Sequence, residues 1–172
     1  MKKITLFLFI CICWAGKVLA QNPLTLADLK HTLAEQDDTL RVLNLWATWC
    51  KPCVEELPDF IALASQYQQA GKKVKFLLVA VEDKTEKVHA FLDNKGYASQ
   101  KNLNPLFYVL TEKDANIWIP VIDAQWEGEI PATLIFQTQQ NTRAFYAKKM
   151  THTELENTIN LHLKKSKHNE KK

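Results

Sequence analysis

Glycine is scarce, with 4 in 172 residues, and the chain contains neither a glycine-rich phosphate loop nor a dinucleotide fingerprint. Long hydrophobic runs are also missing. The longest, Ile4 to Ala15, is 12 residues, against the roughly 20 that cross a bilayer. An excess of one sign of charge is nearly absent: 22 Lys+Arg face 19 Asp+Glu, a net +3. There is no second CxxC and no close HxxxH, so a four-ligand zinc site is not encoded, and no cofactor or metal is called for. No internal repeat, low-complexity tract or interdomain linker interrupts the chain. At 47% hydrophobic and 24% charged, it has the composition of one folded domain with a real core.

The first twenty residues have a three-part layout. Met1-Lys2-Lys3 is positive, Ile4 to Ala15 is apolar, and Val18-Leu19-Ala20 ends in small residues. This is the plan of a secretory signal peptide cleaved after Ala20, and the short run argues against a retained membrane anchor. Cys11 and Cys13 each follow isoleucine, which argues against a lipoprotein-type site. Cleavage leaves 19 basic and 19 acidic residues and one pair of cysteines, Cys50 and Cys53. Without the tail 164–172 the balance is 14 basic to 18 acidic, which removes the electrostatic case for nucleic acid. The expected organisation is a leader over 1–20, a domain over 21–165 and a charged tail over 166–172, with fraying from Lys164.

Periodicity outlines the domain. Thr25 with Asp28 caps a helix over about 26–36, and Leu40 to Trp46 reads as a buried strand. A helix from Cys53 to Gln69 carries Leu57, Phe60, Ile61, Ala64 and Tyr67 inward, and Pro58 should kink it. Val74 to Val81 is a second central strand, Thr85 to Lys95 a helix, and Leu106 to Leu110 a short strand. Asn116 to Ala124 is a short helix interrupted by Pro120. Thr133 to Phe136 and Thr142 to Ala147 pair as a hairpin, and Thr151 with Glu154 caps a last helix through Leu155, Ile159 and Leu163. The order predicts an α/β fold, a central mixed β-sheet flanked by helices.

Cys50-Lys51-Pro52-Cys53 lies between the first central strand and a helix. Disulfide exchange runs through a thiolate, which the unpaired amides and dipole of a helix N-terminus stabilise. Cys50 is expected to be exposed and low in pKa, and Cys53, one turn on, covered and resolving. Pro52 suits a first helical turn, and Lys51 adds a modest positive charge. A structural disulfide closing so short a loop adds little stability, and Val54 stands where a haem-attachment motif needs histidine. His152 and His162 read as solvated histidines on a helix face. Redox chemistry is the favoured reading.

The run Asn44-Leu45-Trp46-Ala47-Thr48-Trp49-Cys50-Lys51-Pro52-Cys53-Val54-Glu55-Glu56-Leu57-Pro58 resembles the thioredoxin superfamily, and within it the TlpA/ResA-like extracytoplasmic thiol–disulfide oxidoreductases with their WCxPCxxExP signature. Gly128-Glu129-Ile130-Pro131-Ala132-Thr133 is similar to that family's second hallmark, a cis-proline segment before a hydrophobic strand, and the segment from Asn116 to Trp126 resembles a variant found in some members. The resemblance covers about residues 24 to 165. It implies a thioredoxin-like fold and a cis Ile130–Pro131 bond facing the disulfide, with backbone groups offered to a substrate peptide. Glu56 falls on the family's acidic position, where a buried carboxylate serves as general base for Cys53; the alternative is a first-turn acid that complements the helix dipole. Glu55 reads as its solvated neighbour. Asn44 stands where simple cytoplasmic thioredoxins carry a buried aspartate, which shifts proton transfer onto Glu56. Trp49 is expected to border the redox surface, Trp46 to pack beneath it, and Trp118 and Trp126 to be covered rather than to line a groove.

The implied activity is a periplasmic or otherwise extracytoplasmic reductase of protein disulfides, recharged by a membrane electron-donor thiol protein, with tasks such as cytochrome c maturation or disulfide correction. Direction is left open by the motif, since CxxC proteins span about −120 to −270 mV. Two other functions compete. A thiol peroxidase of the peroxiredoxin kind needs Pro-x-x-x-Thr-x-x-Cys, and no such run precedes Cys50. A redox-inactive binding or chaperone module commonly loses a motif cysteine, and this chain keeps both.

Overall fold

Strands and helices alternate as the periodicity predicts, and the computed structural model describes residues 22–97 and 106–169, with the backbone alone for 165–169. The order is β1 (Asn22–Leu24), α1 (Leu26–Ala34), β2 (Leu40–Trp46), α2 (Lys51–Gln69), β3 (Val74–Ala80), α3 (Thr85–Asn94), β4 (Phe107–Leu110), α4 (Ala115–Ile122), β5 (Ala132–Gln137), β6 (Thr142–Tyr146) and α5 (His152–Asn169). The expected leader over 1–20 and the last three residues of the tail lie outside the described residues. Among the described residues, no helix is long and apolar enough to cross a membrane.

Six strands form one mixed sheet in the order β1-β4-β3-β2-β5-β6. β1, β4, β3 and β2 pair in parallel, while β5 runs antiparallel to both β2 and β6. β2 is central and buried along its whole length, because helices cover both of its faces. Strand alternation then sorts its side chains. Val42 and Trp46 pack with Leu57 and Phe60 of α2, Val88 of α3 and Leu155 of α5. Leu43 and Leu45 pack on the other side with Leu29 of α1 and Trp118 and Ile122 of α4.

Local signals account for most of the boundaries. Thr25 Oγ1 accepts the Asp28 amide at 3.1 Å and Asp28 Oδ2 accepts the Thr25 amide at 3.0 Å, closing the predicted capping box. Thr151 and Glu154 do the same for α5, and these hydrogen bonds, with the Lys148 ammonium, hold the Glu154 carboxyl down at about 2.

Some expectations change. α4, expected over Asn116 to Ala124 and interrupted by Pro120, runs unbroken over Ala115–Ile122 with Pro120 inside it. β1 went unforeseen, because three residues carry no period; it exists by pairing with β4. α2 begins at Lys51, two residues early, and continues through Pro58. α5 continues as helix to Asn169 rather than fraying from Lys164, its run of lysines being compatible with a helix C-terminal end. His162 is buried, 7% exposed, because it stands on the same side of α5 as Leu155 and Ile159 rather than on the solvated one. His152 is half-exposed and sits 3.3 Å from Asp59.

Strand β2 also holds a charge that its apolar run concealed. Arg41 is buried, and its guanidinium meets both oxygens of Asp37, at 2.7 and 2.8 Å, and Glu35 at 2.6 Å. A buried guanidinium needs such partners to offset lost hydration.

Candidate active site

Strand β2 ends at Trp46, at the C-terminal end of the parallel strands, and the chain turns through Ala47, Thr48 and Trp49 into α2. Because α2 starts at Lys51, Cys50 is its N-cap, and the Cys53 amide donates to Cys50 Sγ at 3.3 Å. Pro52 occupies the first turn, where its lack of an amide hydrogen leaves no bond unmade. Cys50 and Cys53 are joined as a disulfide. In the dithiol state the same amide and the helix dipole stabilise a Cys50 thiolate, the species that attacks disulfides.

Exposure differs from expectation. Cys53 is fully covered, but Cys50 is itself only 6% exposed. Its Sγ lies 3.7 Å from the Ile130 carbonyl oxygen, so the segment before β5 roofs the sulfur. The Ile130–Pro131 peptide is cis, as the resemblance implied. Trp49 stands clear of the surface at 67% exposed, beside the disulfide. Trp46 packs beneath it against Phe91 and Phe107. Lys51 extends into solvent, 4.0 Å from Glu55, whose other oxygen pairs with Lys149 at 2.7 Å.

Glu56 lies one helical turn beyond Cys53, a spacing that puts their Cβ atoms roughly 5–6 Å apart on one face. It is fully buried. Its Oε1 accepts Asn44 Nδ2 at 2.8 Å and its Oε2 accepts the Met150 amide at 2.9 Å. Asn44 Nδ2 also donates to Thr133 Oγ1 at 3.1 Å, because β2–β5 pairing sets Asn44 directly opposite Thr133. Burial pushes the Glu56 carboxyl up to about 7, and it prevails over the opposing pull of the Met150 and Asn44 donors. A carboxyl that titrates near neutrality one helical turn from Cys53 can take or give a proton during exchange.

Two contributors have no local sequence signal. Glu82, just past β3, is buried, and its Oε2 accepts both the amide of Thr48, at 3.0 Å, and its hydroxyl, at 2.6 Å. Lys87 approaches its Oε1 at 3.8 Å. Glu82 therefore ties the turn before Cys50 to the end of the neighbouring strand. Trp126 donates from Nε1 to the Glu129 carbonyl at 3.0 Å and so holds the stretch leading to Pro131. Trp126 and Trp118 pack edge-on at 5.5 Å; Trp126 is covered as expected, while Trp118, though largely covered, also lines a groove beside the disulfide, against expectation.

A redox-capable cysteine pair at a helix N-terminus, roofed by a cis-proline loop, is the architecture of the thioredoxin fold, and a sequence profile of the AhpC/TSA family matches residues 20–145. The chain belongs to the AhpC/TSA family. The thioredoxin-like protein YneN of Bacillus subtilis is 31% identical over 102 residues, 52% of this chain and 60% of YneN. The thiol–disulfide oxidoreductase ResA of Geobacillus kaustophilus is 27% identical over 134 residues, 76% of this chain and 69% of ResA. The match thus spans less than two thirds of YneN. Among solved structures, a secreted disulfide oxidoreductase of Mycobacterium tuberculosis homologous to Escherichia coli DsbE aligns at 23% identity and a TM-score of 0.51, covering 71% of this chain and 81% of that one. A thioredoxin-related protein of Neisseria meningitidis aligns at 23% identity and 0.56, covering 75% and 88%. These structures bear out the thioredoxin-like fold, and the ResA relatives bear out the kinship read from the two motifs.

Proposed function

We propose that the protein is an extracytoplasmic thiol–disulfide oxidoreductase working as a reductase of protein disulfides. The observation that carries this is the Cys53 amide aimed at Cys50 Sγ, one helical turn above a buried carboxyl. The Cys50 thiolate attacks one sulfur of a substrate disulfide. A bond from Cys50 to that sulfur forms, the substrate S–S bond breaks, and the second substrate sulfur leaves as thiolate. Glu56 takes the proton from Cys53, whose thiolate then attacks Cys50 Sγ and releases the first substrate sulfur. The substrate gains two electrons and the Cys50–Cys53 disulfide forms. A membrane thiol protein returns those electrons by the same exchange in reverse.

Glu56 is proposed as the proton carrier, and Trp49, Lys51, Pro52, Ile130 and Pro131 as the surface that receives the substrate peptide. The ResA and DsbE-type relatives support the chemistry, and the three-part layout of residues 1–20 supports export, with the mature domain proposed to start at Gln21. Cytochrome c maturation or disulfide correction is the proposed task. The family's name does not carry peroxidase chemistry here: Leu43 and Ala47 occupy the positions of proline and threonine in Pro-x-x-x-Thr-x-x-Cys.

Insulin reduction tests the mechanism. Cys50→Ser should abolish it, and Cys53→Ala should accumulate mixed disulfides with exported proteins. Full activity in Cys50→Ser, or no trapped species with Cys53→Ala, would overturn the reading.

A further inference from the structure

A groove of about 330 Å³ opens directly beside the redox centre. Trp49, the neighbour of Cys50, and Ile130, whose carbonyl touches Cys50 Sγ, form its near wall. Trp118 and Ile119 of α4 form part of its apolar lining. A residue flanking a substrate cysteine at Cys50 is therefore within reach of this groove.

The groove's charge is one-sided. Asp83, Glu112 and Glu127 line it from three separate loops, with the buried Glu82 behind them. Among the described residues one cation joins the lining, Lys113, and its ammonium, which keeps its charge, is held against the carbonyls of Glu82, at 2.6 Å, and Leu110, at 2.9 Å, so the carboxylates outnumber it. Lys87 lies 3.8 Å from Glu82 Oε1. The far edge is held in place. Gly128 adopts φ +99, a conformation that side-chain-bearing residues rarely take, and its Cα side faces the Ile119 side chain, where a Cβ would come within 2.7 Å of Cδ1, so the 127–130 segment lies against α4. That approach, together with the Trp126–Glu129 bond, sets Glu127 at the rim.

We propose that this groove selects disulfide substrates carrying lysine or arginine together with an apolar residue beside the reacting cysteine. The apolar residue covers the tryptophan wall, and the cation meets the carboxylates of Asp83, Glu112 and Glu127. The inference rests on the thiol–disulfide reading above and names the substrate class of that same site. Unlike charges in a concave site raise encounter rates, and like charges lower them.

The test uses the full chain, reduced, and two peptides that differ only in charge: Lys-Leu-Cys-Lys and Glu-Leu-Cys-Glu, each as a mixed disulfide with 2-nitro-5-thiobenzoate, whose release is read by absorbance. Neutral 2-hydroxyethyl disulfide reports the redox centre itself. At about 10 mM salt, where the screening length is about 30 Å, the basic peptide should react roughly tenfold faster than the acidic one. At about 1 M salt, where it is about 3 Å, the ratio should fall toward one. Asp83→Asn, Glu112→Gln and Glu127→Gln combined should collapse the low-salt ratio, a comparison made within each protein and so independent of its absolute rate. Equal peptide rates in the parent at low salt, or a ratio that survives the triple substitution, would overturn the inference alone. Failure of the parent to reduce 2-hydroxyethyl disulfide would overturn the thiol–disulfide reading and the inference with it. A dimer in solution that shields the groove from the peptides would assign this face to a second copy of the chain and likewise overturn it.

Discussion

Replacing Glu56 with glutamine should remove a specific pH dependence of stability. The folded-state carboxyl titrates at about 7, against an ordinary value of 4.5. The folded protein therefore binds a proton that the unfolded chain has already released between those values. Stability is fully present below pH ~4.5 and is lost as pH rises through ~7. The gap corresponds to about 3 kcal/mol, at about 1.4 kcal/mol per pH unit. Glutamine has no such proton to hold. It can still accept from Asn44 Nδ2 through its oxygen, but its amide nitrogen would then face the Met150 amide, two donors in contact. That mismatch costs about 1–3 kcal/mol at every pH. The two effects separate cleanly: the mismatch sets an offset and the titration sets a slope. Urea unfolding of the oxidised protein, followed by tryptophan fluorescence from pH 4 to 8.5, measures both. The parent should lose its advantage over Glu56→Gln by about 3 kcal/mol across that range, equivalent to about 2 M urea at an m-value of about 1.5 kcal/mol/M. Other titrating groups are common to both proteins and cancel in the difference. A stability difference that stays flat with pH would refute the assignment of a near-neutral, burial-raised carboxyl to Glu56.

Two further outcomes follow from contacts around the cysteines. Glu82→Ala leaves the Thr48 amide and hydroxyl without their shared acceptor and should cost about 2–4 kcal/mol in urea unfolding, while Glu82→Gln, which keeps an acceptor oxygen, should recover part of it; equal losses for the two would refute the hydrogen-bonding role. Gly128→Ala should cost about 1–3 kcal/mol, chiefly through its positive φ, since the clashing Ile119 Cδ1 is the end of a side chain that can turn aside; full rescue of thermal stability by a second Ile119→Ala change would show that crowding, not backbone conformation, sets the cost.

Much of this fold is local in origin and so was open to reading. The capping pairs Thr25–Asp28 and Thr151–Glu154, the buried run of β2, and the apolar faces of α2 and α5 depend on neighbours within a few residues. β1 lacks that support, because its three residues become a strand only when β4 pairs with them. The shielding of Cys50 escaped for the same reason: its cover, Ile130, is 80 residues away in the chain. The buried Glu82 and Arg41 show no apolar period, and their partners are set by loops and strand ends.

By itself, the sequence determined the chemistry on offer: two cysteines at the spacing of one helical turn, a strand before them, a carboxyl one turn after, and a proline loop resembling a known partner. Those are properties of residue type and short spacing, which the helix period converts directly into shared faces. Tertiary structure alone decided how that chemistry is tuned and aimed. Register between β2 and β5 brings Thr133 to Asn44, and packing of α5's approach brings the Met150 amide to Glu56. The folding back of the 126–130 segment roofs Cys50 and places a carboxylate at the edge of its groove. Desolvation and long-range electrostatics depend on what surrounds a group in space, and only the closed fold determines those surroundings.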